Sequence, residues 1–244
     1  IYFIVRYKWY QLRKEHDEDK IRFFINTAHD IRTPLSLVMS PIEELKGESG
    51  LSKKAQYLLD VAGANIRKLN AVTAQLLDFE KIDSRKAKVN AVPINLNYLL
   101  SEEVSCFRNV ADKRGVSLNL NVPDEQVVIS ADRHLIELML DNLMSNACKY
   151  TNNGGKVEVS LSANKSKAII SIADTGIGIP VKEQKNIFFN VYRAENARAS
   201  QETGNGFGLL QVKRIVEMLN GNIGFTSKEQ FGTTFTVSFK RIYD

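Results

Sequence analysis

The sequence predicts an α-helical hairpin, paired with a second copy as a dimeric four-helix bundle, followed by a two-layer α/β sandwich. Three observations carry this. Apolar residues repeat at heptad spacing from Ile21 to Phe79, the pattern breaks between Asp83 and Pro93, and alternating strand-like stretches interleaved with amphipathic helices fill the remainder of the 244 residues. The organisation expected is a linker at residues 1–20, the hairpin at 21–88 and the sandwich at 92–244.

Ile1 to Val5 are apolar and run into Arg6, Tyr7, Lys8, Trp9 and Tyr10, as the cytoplasmic edge of a membrane span would. Five residues cannot cross a bilayer, which needs about twenty. Either they follow a missing upstream span, making the chain the cytoplasmic portion of an inner-membrane protein, or they begin a helix. Gln11 to Lys20 is densely charged and predicts a solvated helical linker.

In the first hairpin helix the seam is Ile21, Phe24, Ala28, Ile31, Leu35, Val38, Ile42 and Leu45. His29 lies beside it, near a helix interface yet open to solvent, and Thr33 projects from the same face one turn later. Pro34 removes a backbone donor, so a bend is expected just after the histidine. Taken alone, a histidine on a helix flank reads more readily as a polar surface residue. The helix should end near Lys46, before Gly47, Ser49 and Gly50, and a second should begin near Ser52. Its seam is Ala55, Leu58, Ala62, Leu69, Val72, Leu76 and Phe79, with Asn65 in register, either fixing the pairing or merely tolerated. Two helices with one narrow stripe each cannot shield it from water, so a homodimer is implied.

After Pro93 a helix is predicted over Leu96 to Lys113, strands over Ser117 to Val122 and Val127 to Ser130, and a helix over Arg133 to Tyr150. Strands at Lys156 to Ser162 and Ala168 to Ala173 come next, then a helix and a loose segment. A helix from Phe207 to Leu219 and strands at Asn222 to Ser227 and Thr233 to Lys240 complete a mostly antiparallel sheet with helices on it. On the helix ending at Tyr150, Asn142, Asn146, Lys149 and Tyr150 share one face, opposite Ile136, Leu140, Leu143, Met144 and Ala147. Amide oxygens suit a hard cation and Lys149 suits phosphate, although two helical asparagines also describe a solvated face. Asp174-Thr175-Gly176-Ile177-Gly178 ends a strand, so its carboxylate can accept from an exocyclic amine where glycines admit close approach; an Asp-initiated turn is the plainer alternative. Gly204, Gly206 and Gly208, with Leu209, open a helix whose backbone donors can hold polyphosphate. No Walker or Rossmann pattern is present.

Composition narrows the partners. A net charge of +5 is compatible with an anionic ligand, but the basic residues are scattered without an aromatic-interleaved stripe, and no direct nucleic-acid partner is expected. Cys106 and Cys148 lie far apart without ligand-like neighbours, which fits a reducing compartment and no zinc site.

The string His29-Asp30-Ile31-Arg32-Thr33-Pro34-Leu35 resembles the phosphoacceptor box of sensor histidine kinases, and Asn142 to Thr151 resembles their asparagine box. The order of asparagine helix, DxGxG, loose segment, GxGxG and the later Phe231-Gly232-Thr233 run resembles the ATPase fold those kinases share with topoisomerase and chaperone ATPases. The resemblance implies that ATP phosphorylates His29, with Asp30 on the other ring nitrogen, and that a receiver aspartate on a response regulator takes the phosphoryl group. It implies Mg²⁺ on Asn146 with Asn142 beside it, cations from Lys149 and Arg193, and nucleotide contacts from Tyr150, Asp174, Gly176, Gly178, Gly204, Gly206, Gly208, Leu209 and Thr233. Thr33 matches the position that orients water for dephosphorylating the receiver, and Val181 to Thr203 matches a lid over the nucleotide. Asn190 and Val191 depart from the pattern, which usually carries Arg and Phe there. The competing class, an ATP-hydrolysing clamp, needs a catalytic carboxylate in the asparagine helix; Asp141 is adjacent to Asn142, but no Glu stands within the box Asn142 to Thr151.

Overall fold

A computed structural model describes residues 27, 31, 34–48, 50–83, 89–188, 196–197 and 206–243. The chain divides into two compact units, Ile1–Arg85 and Lys86–Asp244.

In the first unit residues 34–47 are helical (α1) and α2 spans Lys53–Asp83. Ser52 starts α2 as a cap: its Oγ accepts from Ala55 N at 3.2 Å, satisfying a donor that the first turn cannot pair internally. Gly50, at φ +101°, supplies the left-handed turn between the helices. Lys46 Nζ reaches Asp60 at 2.5 Å, a partly exposed bridge that adds little energy but sets the pairing of the two helices. At Gly63 a Cβ would lie 3.7 Å from Ile42 Cγ2, so the helices approach closely there.

Burial divides the predicted seam into two stripes. Leu35, Met39 and Ile42 of α1 are half-buried, as are Ala55, Leu59 and Ala62 of α2, while Gly63, Ile66 and Thr73 are buried. Val38, Leu45, Leu58, Val61 and Leu69 form an exposed apolar stripe, and Asn65 lies within it. Heptad spacing alone does not separate the stripes, because both lie on one apolar arc of which the other helix of the chain covers only part. The side chains of Val72, Leu76 and Phe79, and residues 21, 24, 28–30 and 33, lie outside the described residues.

The second unit is one seven-stranded sheet carrying helices. Its elements are β1 (Val92–Asn95), α3 (Leu96–Lys113), β2 (Ser117–Asn121), β3 (Val128–Ala131), α4 (Arg133–Tyr150), β4 (Lys156–Ala163), β5 (Lys167–Asp174), α5 (Gly208–Met218), β6 (Asn222–Lys228) and β7 (Gly232–Ile242). The order is β1-β3-β7-β5-β4-β2, with β6 also paired to β7. Only β2 and β4 run parallel. Alternate residues of the central strands, Val157, Val159, Ala168, Ile170, Ile172, Phe235, Val237 and Phe239, are buried beneath the apolar face of α4 at Ile136, Leu140, Leu143, Met144 and Ala147. Two helices start on side-chain caps: Asn95 Oδ1 accepts from Tyr98 N at 3.1 Å and Asp132 Oδ1 from Leu135 N at 3.4 Å.

Two elements differ from the sequence expectation. Val92–Asn95, read as linker because of Pro93, is a strand; it pairs only with β3, and an edge strand tolerates a missing donor. The helix expected directly after β5 is instead a run of turns over residues 181–188, closed by Glu183 N and Gln184 N on Pro180 O at 2.9 and 3.2 Å.

Between α3 and α4, Arg133 bonds Glu102 at 2.7 Å and Glu137 at 2.6 Å. Burial, then the charges of Asp141, Glu137 and Glu102, push the neighbouring Glu103 carboxyl from 4.5 up to about 7. A carboxyl raised on folding keeps its proton in the native state after the unfolded chain has lost it, so its contribution to stability falls as pH rises from 4.5 to about 7. Glu103→Gln should match the parent in denaturant melts near pH 4.5 and exceed it at pH 8 by on the order of 1–2 kcal/mol, allowing for solvent screening. A gap that does not grow with pH would contradict this.

Candidate functional site

The loop after β5 is built around Asp174. Its Oδ1 accepts from Gly176 N at 2.8 Å and from Thr233 N at 3.2 Å, so one carboxyl oxygen ties the loop to the start of β7. Burial raises the Asp174 pKa, and these two backbone donors pull in the other direction without cancelling it. Among the described residues no donor reaches Oδ2. Three glycines let the loop close in. A Cβ at Gly176 would strike the Tyr150 carbonyl oxygen, one at Gly178 (φ +63°) that of Lys228, and one at Gly232 (φ +113°) that of Asp174 itself. Thr233 is buried, and its hydroxyl lies 2.9 Å from Ser227 Oγ, which also accepts from Ile179 N at 2.9 Å.

The second wall is α4. Asn142 and Asn146 are half-buried on the side facing the start of α5: a Cβ on Gly208 would come 2.7 Å from Asn142 Oδ1 and 3.8 Å from Asn146 Nδ2. Lys149 and Tyr150 follow, half-buried, with the ammonium 5.1 Å from the Tyr150 ring centroid. Thr151 Oγ1 donates to Ala147 O at 2.7 Å and closes the helix. The third wall is the N-terminus of α5, where Gly206 takes φ +77°, Phe207 makes no side-chain cap hydrogen bond, and the helix start lies beside the asparagine pair. Leu209 is half-buried there.

The structure therefore brings Asn142 and Asn146 beside Gly208, and Asp174, Gly176, Gly178 and Thr233 into a neighbouring cluster that meets α4 at Tyr150. His29, Asp30, Thr33, Arg193 and Gly204, with Asn190 and Val191, lie outside the described residues. The expected lid is partly fixed to the body. Gln184 Nε2 donates to Ile179 O at 2.9 Å and Ser227 O at 3.0 Å, and the Phe188 ring packs edge-on at 5.6 Å against Phe225 and 6.3 Å against Phe235. Asn196 Nδ2 donates to Gly178 O at 2.9 Å. Sequence reasoning missed Gln184, Asn196, Gln211 and Ser227. Only Gln211 carried a signal, a polar residue in the apolar stripe of α5 between Leu210 and Val212.

Two family models match this chain: the His Kinase A phospho-acceptor domain at residues 19–85 and the histidine kinase-, DNA gyrase B- and HSP90-like ATPase at residues 131–242. The chain belongs to the sensor histidine kinases. Among its relatives are sensor histidine kinase WalK of Bacillus subtilis, 31% identical over 93% of this chain, and hybrid signal transduction histidine kinase D of Dictyostelium discoideum, 30% identical over 93%. This histidine kinase chain spans 38% and 15% of those two proteins. Full-length ShkA in complex with AMPPNP superposes with a TM-score of 0.77 at 21% identity, covering 93% of this chain and 46% of that one. Histidine kinase ThkA in complex with the response regulator TrrA gives 0.65 at 21% identity, covering 97% and 66%. Both likenesses show the fold.

Gly232 provides a check on the loop geometry. Gly232→Ala should lower stability by about 2 kcal/mol or more, since strained φ and a backbone collision coincide there. Gly154→Ala, at φ +80° in open space, should cost only about 1 kcal/mol. Thermal unfolding of both variants distinguishes them, and equal losses would show that the Asp174 contact is not close.

Proposed function

We propose that this histidine kinase core uses ATP to phosphorylate His29 and passes the phosphoryl group to an aspartate on a response-regulator receiver domain. The observation that carries the reading is the facing of Asn142 and Asn146 onto the α5 N-terminus, in the same unit as a half-buried carboxyl with one oxygen anchored. Asp174 Oδ2 accepts from the exocyclic amine of adenine, which guanine does not offer at that position. The polyphosphate lies at the α5 N-terminus, against Gly204, Gly206 and Gly208, with Lys149 and Arg193 supplying positive charge.

The donor set fits Mg²⁺. Asparagine oxygens are hard ligands, and Asn142 Oδ1 lies at the start of α5, 2.7 Å from where a Cβ on Gly208 would stand. Asn146 and Asn142 would hold the ion. When bound, it neutralises phosphate charge that would otherwise repel the nucleophile.

His29 attacks the γ-phosphorus through one neutral ring nitrogen. An N–P bond forms, the bond from the γ-phosphorus to the bridging oxygen breaks, and ADP leaves. Asp30 accepts from the other ring N–H, which sets the tautomer and stabilises the positive charge that develops. Thr33 orients water for the reverse, dephosphorylating reaction of the receiver. The exposed stripe of Val38, Leu45, Leu58, Val61 and Leu69 supports a homodimer, a second copy covering it to complete four helices. Among the described residues no helix is long and apolar enough to cross a membrane; the apolar start at Ile1 to Val5 supports attachment through an upstream span.

The test is incubation with γ-labelled ATP and Mg²⁺. Label stable to alkali and lost in acid should appear on the parent chain and fall at least about a hundredfold in His29→Gln and in Asn146→Ala. Phosphate release without protein label, unaffected by His29→Gln, would assign the chain to the hydrolytic clamps instead.

A further inference from the structure

We infer that Gln211 is a positioning residue: it holds the Asn142 amide so that its oxygen faces the α5 N-terminus, and thereby sets how far a divalent cation strengthens nucleotide binding. The inference rests on the nucleotide reading above and goes beyond it in assigning Gln211 a role.

The hydrogen bonds fix the orientation step by step. Asn142 Nδ2 donates to Leu138 O at 2.8 Å and to Gln211 Oε1 at 3.1 Å. A main-chain carbonyl only accepts, so the end of the Asn142 amide facing Leu138 is its nitrogen. The end of Gln211 facing that nitrogen is then its oxygen. Both Nδ2 hydrogens are engaged, and Oδ1 is left toward Gly208, where a Cβ would come within 2.7 Å of it. The bond to Leu138 alone reaches back one turn along the same helix and leaves the amide free to swing. The second bond comes from another helix and removes that freedom.

Packing does not account for Gln211. It is 1% exposed, among the buried apolar residues Leu210, Val212 and Ile215, and among the described residues no acceptor reaches its Nε2. An unmet buried donor destabilises a fold, and an apolar side chain of similar volume would remove that cost. The hydrogen bond to Asn142 is the contribution that remains. An oxygen held in place is what a hard cation needs, since an amide that turns its nitrogen inward offers no ligand.

The experiment is calorimetric titration of the full chain with ADP, in Mg²⁺ and in EDTA. It compares the parent with Gln211→Met, Gln211→Glu, Asn142→Ala, the Asn142→Ala/Gln211→Met double variant and Asn146→Ala. Gln211→Met should lose roughly tenfold in affinity with Mg²⁺, about the loss expected for one hydrogen bond, and nothing in EDTA. Its melting temperature should rise by about 2–4 °C. Gln211→Glu, which keeps an acceptor oxygen, should retain most of the Mg²⁺ response. The double variant should bind no more weakly than Asn142→Ala, because Gln211 acts through that side chain. The inference is overturned if Gln211→Met keeps the full Mg²⁺ response while Asn146→Ala loses it, an outcome that leaves the nucleotide reading standing. Equal loss in Mg²⁺ and EDTA, or a lower melting temperature, overturns it too, by showing a general packing role. If the parent binds ADP in neither condition, the nucleotide reading falls and the inference with it.

Discussion

The Asp174 carboxyl is the contact on which the second unit is arranged. Its Oδ1 accepts one donor from its own loop and one from the start of β7, which joins the end of β5 to the neighbouring strand. Hydrogen bonds to a charged acceptor contribute about 1.5–3 kcal/mol each, while removing a carboxylate from water costs several. The upward shift of its pKa shows that desolvation wins. A carboxyl kept in that position needs its surroundings to come close, and the loop does so through Gly176 at Tyr150, Gly178 at Lys228 and Gly232 at Asp174. The C-terminal end of α4 is therefore placed by the same loop that places the acid.

From that junction the asparagine face follows. α4 buries Ile136, Leu140, Leu143, Met144 and Ala147 against the sheet, which turns Asn142 and Asn146 toward α5. α5 opens on Gly208, where a larger residue would occupy the space beside Asn142 Oδ1. The helix start and the amide pair thus meet at one place, the close approach of two helices at a glycine. In the hairpin unit α1 and α2 meet where Gly63 faces Ile42, at a spacing that would hold a Cβ in ordinary contact. What it leaves outside is a second apolar stripe that one chain cannot cover.

Much of this was legible from residue order. The helices Leu96–Lys113 and Arg133–Tyr150 follow from periodicity bounded by Asn95 and Asp132, whose caps are local and need no tertiary partner. The buried face of α4 follows from the same period. Elements decided by distant contacts were not legible. β1 is a strand only because β3 pairs with it, residues 181–188 turn because Pro180 O and Ser227 O take their donors, and the hairpin seam divides because the other helix of the same chain covers only part of each apolar arc. In the site, motif spacing pointed to Asn142, Asn146, Asp174 and Gly208. Ser227, Gln184 and Asn196 have no such signature, since each acts on main-chain groups far away in sequence.

We propose that Asp174, with one oxygen anchored and the other left for a base, reads adenine. Equilibrium binding of ADP and GDP to the full chain, beside Asp174→Asn, tests it most directly. The parent should bind ADP at least about a hundredfold more tightly than GDP, since a site built around an anchored, half-buried acceptor rejects a base lacking the matching donor. Asp174→Asn, which places an amide where the carboxyl stood, should lose most of that preference. Equal binding of ADP and GDP by the parent, or an undiminished adenine preference in Asp174→Asn, would contradict it.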